Sequence, residues 1–225
     1  MKKLLFFILL LIVFMACKHQ PKNTVDYKHW HTLDLEAFRL WLPPNWRYHQ
    51  QQGVDSFVAD IVGPNVSFSF DFSSMGYASH LVNSEQEYLN SNYWLTDCRL
   101  CHTPIDREQI AQTDSSIKIN KLSKSEIQKF PGIDYLASVT YKDGSIHKVP
   151  IVIPAETKAY CISEESKDGF IVKTIYPKIA SNGITGIYYQ SKSSNLNFQL
   201  SAYNLSKQDQ NLALQMFKTI VIKTQ

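Results

Sequence analysis

Between Phe38 and Phe72 the chain reads F-R-L-W-L-P-P-N-W-R-Y-H-Q-Q-Q-G-V-D-S-F-V-A-D-I-V-G-P-N-V-S-F-S-F-D-F, and no other stretch limits the fold so tightly. Phe38, Leu40 and Leu42 alternate with Arg39 and Trp41, the period-two pattern of a strand with one buried face. Pro43-Pro44-Asn45 ends that strand, because two successive residues without an N–H cannot continue a ladder. Val54 to Val62 and Val66 to Phe72 are predicted as an antiparallel pair turning at Gly63-Pro64-Asn65. Phe68, Phe70 and Phe72 then share one face over the core. The nucleus of the fold is a sheet, and it holds no recognisable chemistry.

The amino-terminal residues carry a signal of another kind. Lys2 and Lys3 precede an apolar run from Leu4 to Met15, and Ala16 stands before Cys17. Such a run is well short of the roughly 20 apolar residues that span a bilayer core, so it reads as a secretory signal. Phe14-Met15-Ala16-Cys17 resembles the lipobox of bacterial lipoproteins, with Phe where Leu is more usual. The resemblance implies cleavage before Cys17 and acylation of its thiol and new amino group. Residues 1–16 are then an export signal, and residues 17–31 a lipidated cysteine and tether. The alternative is an ordinary signal peptide followed by a chance cysteine. Each buried CH₂ contributes about 0.8 kcal/mol, so several acyl chains anchor a protein durably. Acidic residues directly after the lipidated cysteine direct some lipoproteins to the cell surface. Lys18-His19-Gln20 has none, which favours the periplasmic side of the envelope and leaves inner or outer membrane open.

Loss of the leader removes two lysines and lowers the net charge from +3 to +1. A nucleic-acid partner would need a basic stripe to neutralise phosphates, and near-neutrality argues against one. No repeat or interdomain linker interrupts residues 32–225, which read as one domain.

Within that span, Ser84 is placed as the N-cap of a short helix, and Tyr93 to Ser116 shows no period. Ile117 and Ile119 begin a strand, and Ser123-Lys124-Ser125-Glu126 is a capping box ahead of a short helix. Tyr135 to Tyr141 and Ile146 to Ile153 form a hairpin around Asp143-Gly144, a pair suited to a type I′ turn. Phe170 to Tyr176, Ile184 to Gln190 and Leu196 to Tyr203 add strands. Ser206 caps a last helix through Lys218, and Thr219 to Lys223 returns to period two. The expected class is α+β, a mainly antiparallel sheet packed with a C-terminal helix and short helices.

Several phrases together resemble a group of uncharacterised lipoproteins from Bacteroidetes-type bacteria. They are Pro43–Trp46, Gly53–Val58, Phe70–Phe72, Tyr176-Pro177-Lys178, Gly183–Tyr189 and Asn204-Leu205-Ser206. More distantly, strand, proline–tryptophan step, further strands and terminal helix resemble the PsbP/Mog1-like α/β sandwich. That resemblance implies a binding or assembly factor in place of an enzyme, and brings no site residues.

One constellation carries chemistry. Cys98-Arg99-Leu100-Cys101-His102 spells C-x-x-C-H, the attachment signature of c-type haem, in which two thiols add to vinyl groups and the imidazole ligates iron. A mono-haem electron carrier is therefore the alternative function. Against it stand the sheet-rich surroundings and the scarcity of sixth ligands, for which Met75 and Met216 are the candidates. The simpler reading is a disulfide among Cys98, Cys101 and Cys161, with free thiols or a redox pair as further options. Trp41, Trp46, Tyr48, Tyr93 and Trp94 could line a ligand groove, with core and rim packing the plainer account. His29 and His31 flank Trp30, but two imidazoles fall short of a zinc site, and no metal is expected. Asp55-Ser56 with His49 or His80 is a weak hydrolytic triad, and no G-x-S-x-G, phosphate loop or H-E-x-x-H occurs. The sequence thus points to a non-enzymatic, membrane-anchored module without cofactor, which binds another envelope protein or a small ligand.

Overall fold

A computed structural model describes residues 26–54, 56–74, 81–96, 105–113, 115–129 and 131–223. Five strands come first: β1 (His31–Asp34), β2 (Phe38–Leu42), β3 (Arg47–Gln50), β4 (Phe57–Gly63) and β5 (Val66–Ser73). The middle carries α1 (Glu85–Ser91), β6 (Ile117–Lys121), α2 (Lys124–Lys129), β7 (Tyr135–Thr140), β8 (Ile146–Ile151) and α3 (Ala155–Ala159). The last part holds β9 (Tyr160–Lys167), β10 (Phe170–Pro177), β11 (Ile184–Ser191), β12 (Asn197–Tyr203), α4 (Lys207–Phe217) and β13 (Val221–Ile222). The chain divides into two compact units, one made of the residues up to Leu81 together with those from Ala159 onward, the other of Val82–Lys158.

In the first unit, seven strands pair antiparallel in the order β3-β4-β5-β12-β11-β10-β9, and β1-β2-β13 form a separate three-stranded sheet. Register explains the core. Phe57 pairs with Phe72, Phe72 with Phe198, Phe198 with Tyr189 and Tyr189 with Val172, so one row of rings crosses the large sheet. The small sheet presses Phe38, Leu40 and Leu42 onto it, all essentially inaccessible, with the Phe38 ring 4.6 Å from Phe198 and 5.0 Å edge-on to Phe70.

The expected α+β class, with a sheet packed against a C-terminal helix in the PsbP/Mog1-like manner, is corrected here. Three antiparallel sheets of three, seven and three strands dominate, and a second sheet covers the large one, a sandwich of sheets. Helix α4 only adds Ala213, Leu214, Met216 and Phe217 to a core already made by strands. The physical reason lies at Pro43-Pro44. Besides stopping β2, this step is a corner at which the chain leaves the small sheet and enters the large one as β3.

Trp46, just past the corner, is buried against Phe68 and lies directly over Gly63. A Cβ on Gly63 would sit 2.7 Å from the indole nitrogen, so only glycine admits this approach. Two Asp-Gly turns behave differently. Asp168 and Gly169 both take positive φ (49° and 82°), the type I′ turn, between β9 and β10. At Asp143-Gly144 only the glycine does (84°), and Tyr141 N–H donates to Ser145 O across a three-residue loop with a glycine bulge.

The second unit is built on β6-β7-β8. Ala137, Val139, Val149, Ile151 and Ile153 pack with Leu89, Trp94 and Leu95, and the Trp94 Nε1–H donates to Leu89 O at 2.9 Å. The expected capping box at Ser123 forms, and Ser84, expected as an N-cap, closes a second one. Ser84 N–H donates to Glu87 at 2.6 Å, and Ser123 N–H to Glu126 at 2.9 Å.

Tyr135 donates its hydroxyl proton to Glu85. Burial of the ring, then that carboxylate, pushes its pKa from 10.0 up to about 12. A folded value above the unfolded one means that this stabilisation is complete below pH 10 and disappears as pH rises from there towards about 12. The variant Tyr135→Phe should therefore lose less stability than wild type across that interval in urea melts. Identical alkaline slopes would assign the shift no thermodynamic role. Replacing Gly63 with Ala should cost about 1–3 kcal/mol in the same melts, because the Trp46 indole has to move.

Candidate functional site

The inward-facing rings of the large sheet run out of cover at one end of the sandwich. There Phe57 opens β4, Phe72 lies near the end of β5, Phe170 opens β10 and Leu196 precedes β12. Together with Ala37 they floor a cleft of about 750 Å³. Its rim is polar: Glu36 and Lys223 from the small-sheet side, Ser74, Ser191, Ser193, Ser194 and Asn195 from the large-sheet side.

Each side of the rim is held by local chemistry. On one, Leu35 N–H donates to Phe38 O and Lys223 N–H to Ala37 O, both at 2.9 Å, which pins the β1–β2 turn. The Lys223 ammonium is 2.5 Å from Asp34. Both groups are half-exposed, so the pair contributes about 1 kcal/mol at most. On the other side, Ser191 Oγ accepts from the N–H groups of Ser193 and Ser194 at 3.3 and 3.1 Å, and from Ser194 Oγ at 2.9 Å. Ser194 Oγ in turn accepts from Leu196 N–H at 3.3 Å. The serine turn therefore uses its hydroxyls on its own backbone.

An apolar floor under a polar rim gives this arrangement the make-up of a binding cleft. Among the described residues that line the cleft there is no histidine or cysteine, and its two charged groups, Glu36 and Lys223, have opposite signs. Elsewhere, Ser145 Oγ lies 3.3 Å from His147 Nε2, but donates its own proton to Asp143 at 2.6 Å, and all three groups sit on a solvated hairpin. A second depression of about 420 Å³ has a mixed polar and apolar lining, and its Asp60 is already bonded to Gln51 and Ser69, each at 2.8 Å. Among the described residues no three of His, Cys, Asp and Glu are grouped to hold a metal ion.

The residues singled out in sequence are dispersed. Cys17, Cys98, Cys101 and His102 lie outside the described residues, as do Met75, Asp55 and His80. Cys161 is buried in β9, opposite Tyr176. Trp46 and Tyr48 pack on the core of the first unit, and Trp94 is buried in the core of the second. Trp41 and Tyr93 are exposed, at 43% and 66%. None of the five aromatic residues lines the cleft. Sequence reading assigned Phe72 to the core and overlooked Phe57, Phe170 and Leu196 as a group. The available signal was the run Ser191-Lys192-Ser193-Ser194-Asn195-Leu196, a polar turn beside an apolar strand start.

No protein-family model matches the chain. No curated protein matches it either. The likeness to envelope lipoproteins thus rests on the sequence phrases alone.

Because Ser191 Oγ is the hub of the turn, Ser191→Ala should cost about 1 kcal/mol in stability. The loss should also raise hydrogen-exchange rates at Ser193, Ser194 and Leu196. Unchanged exchange there would remove the serine turn as the element that shapes the rim.

Proposed function

We propose that this protein is a lipid-anchored binding module of the cell envelope, on its periplasmic side, which holds a small, largely apolar ligand and performs no reaction on it. The observation that carries this reading is the cleft. Its volume of about 750 Å³ falls in the range of small-molecule sites, roughly 300–1,000 Å³, and its floor is three phenylalanine rings and a leucine. Ligand affinity would come from covering those rings, at about 25 cal/mol per Å² of apolar surface removed from water. Orientation would come from the few rim groups that keep spare hydrogen-bonding capacity, chiefly Asn195 and Glu36. The lipobox at Phe14–Cys17 supplies the anchor in this reading, and the tether keeps the domain at the membrane where apolar molecules partition.

Titration with cis-parinaric acid, a fluorescent fatty acid, tests the site directly. Wild type should bind it saturably, and Leu196→Trp, which fills the cleft from a half-exposed position, should weaken binding at least about tenfold, or 1.4 kcal/mol. Near-ultraviolet circular dichroism would verify that the variant folds. Absence of saturable binding by wild type, or equal binding by the folded variant, would reject the cleft as a ligand site.

A further inference from the structure

The strict alternation of β2 sends Phe38, Leu40 and Leu42 inward and leaves Arg39 and Trp41 on the outer face of the small sheet. Register places Val221 opposite Arg39 and Thr32 opposite Trp41, so these side chains share that face. Trp41 is 43% exposed and Val221 39%. The Trp41 backbone is held by an N–H bond to Thr219 Oγ1 at 2.9 Å, and its ring is met edge-on by Tyr27 at 5.8 Å. Tyr27 also packs edge-on against Trp30 at 5.0 Å, in the short turn Tyr27–His29 that opens the described chain. Charged groups of both signs occur on the same elements. Lys28 is in the turn, Arg39 on the same sheet face and Lys223 at its margin, set against Asp26 and Asp34, and Asp34 already engages Lys223.

We propose that this face docks on the bilayer, with the Trp41 and Tyr27 rings seated at the headgroup level of the membrane that anchors the chain. Tryptophan and tyrosine have an apolar body and a polar tip, and they concentrate at that depth because each part finds its own medium there. A lone exposed tryptophan on a soluble sheet face needs no explanation, but one joined to a tyrosine, an exposed valine and flanking cations suits an anionic lipid surface. Tether length selects the same face. From Cys17 to Asp26 the chain reaches at most about 30 Å when fully extended, so the turn at Tyr27 is the folded part held nearest the lipid. The proposal rests on the acylation of Cys17, and its failure is separable from failure of that premise.

The test uses the full-length lipidated protein in vesicles of phosphatidylcholine and phosphatidylglycerol, with or without bromine on the phosphatidylcholine acyl chains. Bromine should quench part of the tryptophan emission, and Trp41→Phe should abolish most of that quenching while the protein still floats with the vesicles. A protein that does not float refutes the anchor, and the docked face with it. Flotation without bromine quenching, or with quenching that Trp41→Phe leaves intact, refutes docking and spares the anchor. Concentration-dependent shielding of Trp41 in lipid-free detergent would assign the face to a second copy and likewise overturn the proposal.

Discussion

Phe38 joins the two layers of the larger unit. Its ring has no exposure and meets Phe198 in the ring row of the large sheet and Phe70 beside that row, on the neighbouring strands β12 and β5. Removing such a side chain from water stabilises a fold by roughly 2–3 kcal/mol, and edge-on ring pairs add about 1 kcal/mol more. This seat exists only because β2 belongs to a different sheet from β3. The two prolines that separate them cannot donate to a ladder, so they break the strand and release β2 to become a second layer. Trp46 then fills the inside of the corner, and Gly63 yields the space that it occupies.

The cleft follows from the same arrangement. A short sheet laid over a long one covers the middle of the ring row but not its end, where Phe57 and Phe72 stay half-buried. The rim is hydrogen-bonded on both sides: an ion pair and turn bonds at the small sheet, a hydroxyl network at the serine turn. Groups already tied to one another have less freedom to lose when such a cleft is filled.

How much of this was legible in sequence depended on which side chains carried the signal. Strands β2, β5, β7, β8, β10, β11 and β12 showed because one of their faces is apolar, and the Ser84 cap and the Ser123 capping box showed because their chemistry is local. Strand β9 escaped, since Ser163, Glu164, Glu165 and Ser166 give an edge strand no apolar face to display. Strand β3 escaped for a similar reason, being Arg-Tyr-His-Gln at the other edge. The type I′ turn at Asp168-Gly169 was hidden with β9, while the visible Asp143-Gly144 pair adopts another turn of equal local quality. Assignment of strands to sheets was out of reach, because pairing such as Ser73 with Asn197 leaves no mark in either segment. The cleft was illegible for that same reason: Phe57, Phe72, Phe170 and Leu196 lie in or beside four strands that only the assembled sheet brings together.

The β5–β12 junction has a kinetic consequence. The seam at the middle of the large sheet joins the first part of the chain to its last part, with all of Val82–Lys158 between them. Closing so long a loop is slow, and until β12 is made β5 has a neighbour on one edge only and the small sheet lacks β13. The large sheet of a growing chain stays incomplete until β12 has been made. The strands made earliest are thus completed by those made last, and this sheet closes late in the maturation of the protein.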